Sequence, residues 1–223
     1  MNRQGIGNRK YFQDEYSHRD WRFYRSLLSM IVTNSEPGPI LDIGAGLGYL
    51  VEAATRWGLD CQGLEGSQEA IDMAKKRVPD IRLTHHFLES PLPFSDDSFQ
   101  TIIVNQVIEH LNETEAKNAV KEAYRLLKPK GMIFIFSPNR FNVRERTLDP
   151  THQRLLTPPE LFRLLANAGF ENISPKDFPR HIFGNQWMGR ALAHLLFYVT
   201  GWTRLSSSSN CMANKPPTNS FPI

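Results

Sequence analysis

The residues best suited to chemistry form a glycine-rich turn flanked by two acidic side chains. Asp42 precedes the segment Gly44-Ala45-Gly46-Leu47-Gly48 by two positions, and Glu65 follows Gly44 by 21 positions. Glycine permits left-handed backbone and lets a ligand approach the main chain closely. An acid at the position of Glu65 can accept hydrogen bonds from both ribose hydroxyls of an adenosine. The pattern predicts a site for an adenosine-containing ligand, although a turn of this kind also occurs where a helix only packs on a strand.

Two details of the turn favour a cationic ligand over a dinucleotide. A dinucleotide fingerprint has its third glycine one position after Gly48, where this chain has Tyr49. A carboxylate at Asp42 would repel a pyrophosphate, whereas it suits an ammonium or sulfonium group. The turn therefore favours S-adenosylmethionine (SAM) over a nicotinamide dinucleotide.

The elements that position these residues alternate between strands and helices. Short apolar runs predict strands at 39–43, 61–65, from 81 onward, 99–105, 132–136 and 170–173. Helical spacing and capping residues predict helices at 49–57, 68–77, 113–127, 157–168 and 187–200. Alternation of this kind is typical of βαβ units with right-handed crossovers and a mostly parallel sheet covered on both faces.

Five blocks along residues 38–175 together resemble one family. They are Leu41 to Gly48, Glu65, Leu92 to Phe99, Glu109-His110 and Arg125 to Gly131. In this order they resemble a class I SAM-dependent methyltransferase, of the small-molecule type related to quinone-biosynthesis methyltransferases. The resemblance implies a Rossmann-like, doubly wound, seven-stranded sheet that is mostly parallel, with an antiparallel last strand near 210–215. It also implies one domain over 1–223, with a helical arm or lid (1–36), a SAM-binding core (37–180), and a C-terminal helix and closing strand (181–223).

The same resemblance implies cofactor-binding roles that carry over residue by residue. Residues 42–46 flank the methionine portion, Glu65 the ribose, 66–67 the adenine edge, and 105–107 the sulfonium. The implied set is Asp42, Gly44, Ala45, Gly46, Glu65, Gly66, Ser67, Leu88, Glu89, Asn105, Gln106 and Val107. The chain departs from the family where Leu88 replaces an acid that contacts adenine, with Glu89 as the substitute. It also departs at Lys130, where the family has glycine and where we expect a surface turn.

Catalysis by such a chain depends on position, because SAM brings its own reactive methyl group and leaves as S-adenosylhomocysteine (SAH). His110, after the fourth strand, and His152, after the fifth, are the candidate bases. His110 can equally serve only to cap and orient its loop. No histidine or acid grouping has metal-ligand spacing, so no metal is predicted. A SAM-binding module without catalysis is the alternative from another class.

The acceptor is expected to be a small molecule and not a nucleic acid. Residues 105–108 lack the Asn/Asp-Pro-Pro-aromatic tetrad of amino-methylating DNA enzymes, and the net charge is only +3. Four arginines follow the fifth strand, and these are Arg140, Arg144, Arg146 and Arg154. Guanidinium groups there predict an acceptor with a carboxylate or phosphate. The alternative is that they pair with the acidic stretch 88–115.

Composition restricts the location of the chain. The two cysteines, Cys61 and Cys211, form no C-x-x-C motif, and the first residues lack the apolar stretch of a secretory signal. We therefore expect a cytoplasmic protein.

The apolar stripe of 187–200 is expected to be core, with contact at a membrane surface as the alternative. The aromatic arm, 11–31, is either a packed helix or a lid over the acceptor.

Overall fold

The computed structural model describes residues 20–88, 91–140, 151–175 and 208–217. Within these ranges the strands are β1 (Ile40–Ile43), β2 (Cys61–Glu65), β3 (Leu83–His85), β4 (Phe99–Asn105), β5 (Leu127–Phe136), β6 (Glu171–Pro175) and β7 (Cys211–Asn214). The α-helices are α1 (Arg25–Asn34), α2 (Tyr49–Arg56), α3 (Gln68–Arg77), α4 (Glu113–Leu126) and α5 (Pro158–Asn167). Two 3₁₀ helices complete the described elements, at Trp21–Tyr24 and Ile108–His110.

The seven described strands form one sheet in the order β3-β2-β1-β4-β5-β7-β6. Neighbours from β3 to β5 are parallel, whereas β7 runs antiparallel to both β5 and β6. The predicted α/β fold, with its antiparallel last strand, is confirmed. Because β1, β2, β4 and β5 are parallel, their carboxyl ends meet at one edge, where sheets of this kind bind ligands.

Helices cover both faces of the sheet, as the alternating contacts of β4 show. Ile102 packs in one buried cluster with Val120 of α4 and Leu161 of α5. The next residue, Ile103, packs in a second cluster with Leu28 of α1 and Val51 of α2. A strand covered on both faces favours apolar side chains at successive positions, which explains the run from Ile102 to Val104 in β4.

Local signals in the sequence are confirmed at several helix ends. The Ser67 hydroxyl accepts a hydrogen bond from the backbone N–H of Ala70, 3.2 Å away, and so caps α3. Gly58 and Gly169, just beyond α2 and α5, have positive φ. In the arm, α1 buries Leu28 and Ile31, so its described part is a packed helix. The predicted helix at 187–200 lies outside the described residues.

The fifth strand differs from its prediction, because it begins at Leu127 and not at Met132. Pro129 and Gly131 mark a bulge in the strand and not the turn expected there. The register with β4 passes from the pair Phe99–Leu127 directly to the pair Thr101–Met132. The residues of β5 between Leu127 and Met132 therefore have no partners in β4. Strands β3 and β6 are also displaced by one or two residues from their predicted starts.

Lys130 adopts φ +66° within this bulge, which explains why the resembling family carries glycine there. Left-handed backbone costs a non-glycine residue about 1–2 kcal/mol, partly offset by the greater freedom that glycine has when unfolded. We therefore expect Lys130→Gly to raise the free energy of unfolding by about 0.5–1 kcal/mol in urea denaturation. Lys128→Gly, two residues earlier at negative φ, is the matched control and should lower it by about as much. Equal destabilisation by both variants would contradict the expectation.

Candidate functional site

The glycine turn leaves β1 in left-handed backbone and contacts two neighbouring strand ends. Gly44 and Gly46 have φ of +74° and +53°. The N–H groups of Gly44 and Ala45 both donate to the carbonyl oxygen of Leu64 in β2, at 2.8 and 3.0 Å. A Cβ on Gly44 would lie 2.3 Å from Cγ2 of Val107, after β4. Only glycine fits at position 44, and the turn joins the ends of β1, β2 and β4.

Glu65 ties the end of β2 to this turn through its carboxylate. Oε2 accepts a hydrogen bond from the N–H of Gly46, and Oε1 accepts one from the N–H of Ser67, both at 2.7 Å. Burial raises the pKa of Glu65, while the N–H groups of Ser67, Gly46 and Gly66 act in the opposite direction. The acid predicted to bind ribose therefore also holds the turn in its conformation.

Asp42 is 3% exposed, on β1 just before the turn. Burial, and secondly the negative charge of Glu65, raise the pKa of Asp42 to about 7. Close to neutral pH the carboxyl group is therefore divided between its two forms. A cationic group bound beside it would favour the charged form and be attracted by it.

The segment after β4 closes the site from the other side. Asn105 ends β4 opposite Phe136 of β5. The N–H of Gln106 donates to the carbonyl oxygen of Phe136 at 2.8 Å, and Gln106 has φ +56°. Val107 packs on the turn at Gly44. The structure thus brings the predicted residues 105–107 and the turn together at the carboxyl edge.

The remaining predicted cofactor residues lie around the end of β2 or outside the described ranges. The ring of Phe87 lies against Gly66, where a Cβ would meet it at 3.2 Å. Gly66 also accepts a hydrogen bond from Nε2 of His85 at 3.0 Å through its carbonyl oxygen. Leu88 packs against the buried cluster that holds α4 and α5. Glu89 lies outside the described residues.

The two candidate bases lie side by side, although 42 positions separate them in the chain. The rings of His110 and His152 have centroids 4.9 Å apart. Nδ1 of His110 lies 3.1 Å from the hydroxyl and 3.3 Å from the carbonyl oxygen of Thr151. One ligand atom from each ring and one carboxylate oxygen of buried Glu109 lie within 4.8 Å of one another. This grouping was not expected, since spacing along the chain does not reveal it.

Comparison with known proteins decides what kind of domain this is. Residues 41–135 match the profile of the family described as a methyltransferase domain. This part of the chain is a methyltransferase domain. Relatives and solved structures that it resembles are named as SAM-dependent methyltransferases, so the predicted family and cofactor are confirmed.

Two relatives and one solved structure illustrate the likeness of the methyltransferase domain. A "Probable S-adenosylmethionine-dependent methyltransferase" of Mycolicibacterium smegmatis is 33% identical over 135 residues, which cover 59% of this chain and 51% of that protein. The mitochondrial ubiquinone biosynthesis O-methyltransferase of Rattus norvegicus is 31% identical over 58% of this chain and 41% of its own length. The chain thus spans about half the length of these relatives. A SAM-dependent methyltransferase from Archaeoglobus fulgidus shares the fold, with a TM-score of 0.69 at 19% identity over 92% of this chain and 99% of that one.

Sequence reasoning missed two side chains that border the cofactor end of the methyltransferase domain. Phe87 is 48% exposed beside Gly66, so its ring offers an apolar face near the predicted adenine edge. Arg77 donates through Nη2 to the carbonyl oxygen of Leu47 at 2.6 Å, and its guanidinium lies 4.0 Å from the ring centroid of Tyr49. Phe87 could have been found from the sequence, because it is an aromatic residue just beyond the end of a strand. Arg77 could not, because it lies 30 positions after Leu47 in the turn and no local pattern links the two.

The arginines predicted to face an anionic acceptor are already engaged where the structure describes them. Arg140 forms an ion pair with Glu160 at 2.9 Å and donates to the carbonyl oxygen of Leu155 at 3.0 Å. Arg154 lies 3.9 Å from Glu113, within the acidic stretch, as the alternative expectation proposed. Arg144 and Arg146 lie outside the described residues.

Within the described residues, no helix is both long and apolar enough to cross a membrane.

Proposed function

We propose that this chain is a SAM-dependent methyltransferase whose acceptor is a small molecule. The observation that carries the proposal is the carboxylate of Glu65, which accepts hydrogen bonds from the N–H groups of Gly46 and Ser67 beside the buried Asp42. One acid at the turn and another at the end of β2 match the needs of a cationic methionine portion and a ribose.

The reaction asks little of the protein beyond position, because the sulfonium activates its own methyl group. A lone pair of the acceptor forms the new bond to the methyl carbon while the carbon–sulfur bond breaks. The electron pair of the broken carbon–sulfur bond stays on sulfur, and SAH is released. Holding both reactants in line at the carboxyl edge reduces the entropic part of the barrier. For a hydroxyl acceptor, the group around His110 and His152 is where we place removal of the proton.

A small-molecule acceptor is supported by the residues at the end of β4. Asn105-Gln106-Val107-Ile108 differs from the tetrad with which DNA enzymes hold a flipped base, and the net charge of +3 is low for a nucleic-acid surface. The cytoplasmic location stays a prediction from composition. So does the organisation into an arm at 1–36, a core at 37–180 and a closing segment at 181–223.

An anionic acceptor is the finer part of the proposal, and Arg154 is the described residue that tests it. Its side chain is 32% exposed and its contact with Glu113 is long, so the guanidinium can turn toward a bound anion. We expect Arg154→Ala to raise KM about tenfold for carboxylate or phosphate acceptors and to leave KM for neutral acceptors unchanged. Arg140→Ala is the matched control, since Arg140 already pairs with Glu160. An unchanged KM for every acceptor would refute an anionic acceptor.

The lid hypothesis for the arm now concerns its first 19 residues. Tyr24 and Leu28 are buried, so a deletion that included them would unfold part of the core. Deleting residues 1–19 is expected to leave SAH affinity intact while turnover falls at least tenfold, if this segment closes over the acceptor. Calorimetry and initial rates measure the two effects. Normal turnover of the truncated protein would exclude a lid.

Titration calorimetry with SAH and NAD, followed by transfer of labelled methyl groups from SAM to a panel of small molecules, tests the function. We expect SAH to bind and NAD not to bind. Transfer to a panel member supports the proposal, whereas binding of NAD alone refutes it. Binding of SAH without transfer to any acceptor would favour the non-catalytic module.

A further inference from the structure

Glu109, His110 and His152 form the one described group of three metal-ligating side chains in the chain. The carboxylate oxygens of Glu109 are shielded from water, while both histidines are half-buried. The group thus has a buried side formed by the carboxyl group and a partly open side formed by the imidazoles.

The backbone holds the two halves of this group together. The carbonyl oxygen of Glu109 accepts hydrogen bonds from the N–H groups of Gln153 and Arg154, at 2.9 and 3.0 Å. These two contacts fix the segment after His152 against the 3₁₀ helix that carries His110. The N–H of His110 donates in turn to the carbonyl oxygen of Val107, the residue that packs on the glycine turn. The group is therefore anchored to the carboxyl edge of the sheet.

The ring of His110 is oriented as a ligand histidine is. Nδ1 lies within hydrogen-bonding distance of Thr151, whose carbonyl oxygen can only accept, so the tautomer with hydrogen on Nδ1 is favoured there. In that tautomer Nε2 is the ring nitrogen that carries the lone pair, as metal binding requires. A hydrogen bond from the other ring nitrogen to a carbonyl is the usual support of a metal-bound histidine.

The size of the group is close to that of a metal site. Three atoms up to 4.8 Å apart lie about 2.8 Å from a common centre, so shifts of about 0.7 Å bring them to the usual 2.0–2.1 Å. Two imidazoles and one carboxylate suit zinc, iron or manganese better than magnesium or calcium, which prefer oxygen ligands. Three protein ligands also leave coordination positions open.

We propose that Glu109, His110 and His152 bind one first-row divalent transition-metal ion, whose open position takes an oxygen of the methyl acceptor. The second half of this statement rests on the proposed methyltransferase function, whereas the binding of the ion does not. A hydroxyl bound to the ion loses its proton to water more readily, because the metal lowers the pKa of a bound hydroxyl. The resulting oxyanion forms its bond to the methyl carbon as the carbon–sulfur bond breaks onto sulfur. With the ion bound, the histidines hold it, and water takes the proton that an imidazole would remove in the absence of the metal.

Cobalt and zinc are the probes for the full chain after treatment with a chelator. We expect one equivalent of Co²⁺ to bind with visible absorption bands of nitrogen and oxygen coordination, and Zn²⁺ to displace it. Glu109→Gln, His110→Ala and His152→Ala are each expected to weaken binding by about tenfold or more. Glu113→Gln and Asp72→Asn, both at exposed positions, are the matched controls and should bind as the unaltered protein does. SAH affinity reports that each variant is folded.

The results separate this proposal from the function on which its second half rests. Absence of a one-to-one Co²⁺ complex overturns the proposal, as does binding that none of the three variants weakens in protein that still binds SAH. Binding lost in the three variants and kept in the controls supports it. The methyl-transfer assay and SAH calorimetry test the methyltransferase function independently, since neither depends on the cobalt spectrum.

Discussion

Asp42→Asn is expected to stabilise the cofactor-free protein at pH 8 while weakening its affinity for SAM. The pKa of Asp42 is about 7 in the folded chain, against an ordinary value of 3.8, chiefly because the side chain is buried. A shift of this size corresponds to about 4 kcal/mol of unfolding free energy at high pH. Asparagine has the same shape without the charge, so the variant avoids this cost.

The sign of the pH dependence follows from where the proton resides. Well below pH 4, Asp42 is protonated whether folded or unfolded, and it costs nothing. Between about pH 4 and 7 the unfolded chain releases the proton while the folded chain keeps it, so stability falls as pH rises. Above pH 7 the loss is complete. The advantage of Asp42→Asn should therefore be small at pH 4, grow through pH 6 and level off by pH 8.

Urea denaturation at pH 4, 6 and 8 measures this effect. Asp72→Asn, an exposed acid of α3, is the matched control and should change the unfolding free energy by less than about 0.5 kcal/mol at every pH. SAM binding should weaken about tenfold or more in Asp42→Asn, because a carboxylate facing the cationic methionine portion is lost. If the difference in unfolding free energy between Asp42→Asn and the unaltered protein does not grow between pH 4 and 8, Asp42 carries no such cost.

Glu65→Gln is expected to weaken SAM and SAH binding by about 10- to 100-fold, or 1–3 kcal/mol. The carboxylate receives the N–H groups of both Gly46 and Ser67, and an amide offers one acceptor oxygen in place of two. The turn loses one of its anchors at the same time as the ribose loses a charged partner. Calorimetry measures the loss of affinity.

The same substitution provides a second readout within the site. The charge of Glu65 contributes to the raised pKa of Asp42, so the pKa of Asp42 should fall in Glu65→Gln when followed by carbon-detected NMR. Glu69→Gln, an exposed acid in the first turn of α3, is the matched control and should leave both readouts unchanged. Full SAH affinity in Glu65→Gln would mean that the residue serves the turn alone.

Features set by neighbours along the chain could be predicted from the sequence. The bounds of β2, the cap at Ser67 and the left-handed glycines beyond α2 and α5 all follow from local backbone preferences. The order of the motifs identified the methyltransferase domain for the same reason, since each motif lies at or next to the end of a strand or helix.

Features set by contacts between distant segments could not be predicted. His152 reaches His110 only because Gln153 and Arg154 hydrogen-bond to Glu109 across the edge of the sheet. Neither periodicity nor spacing encodes that contact. Pro129 likewise signals a turn to any local rule, but pairing with β4 on both sides turns the segment into a bulge. Arg140 pairs with Glu160, which lies on α5, and not with the expected acceptor.

The place of β7 in the sheet has a consequence for synthesis on the ribosome. Among the described strands β7 is made last, yet it lies between β5 and β6 and pairs with both. Until Cys211–Asn214 has left the ribosome, β5 keeps an open edge and β6 has no partner among the described strands. Over the interval in which about 35 residues are added, the nascent chain therefore lacks the described partner of both strands, and chaperones that shield strand edges would act in that interval. A nonsense codon before position 211 would make that exposed edge permanent.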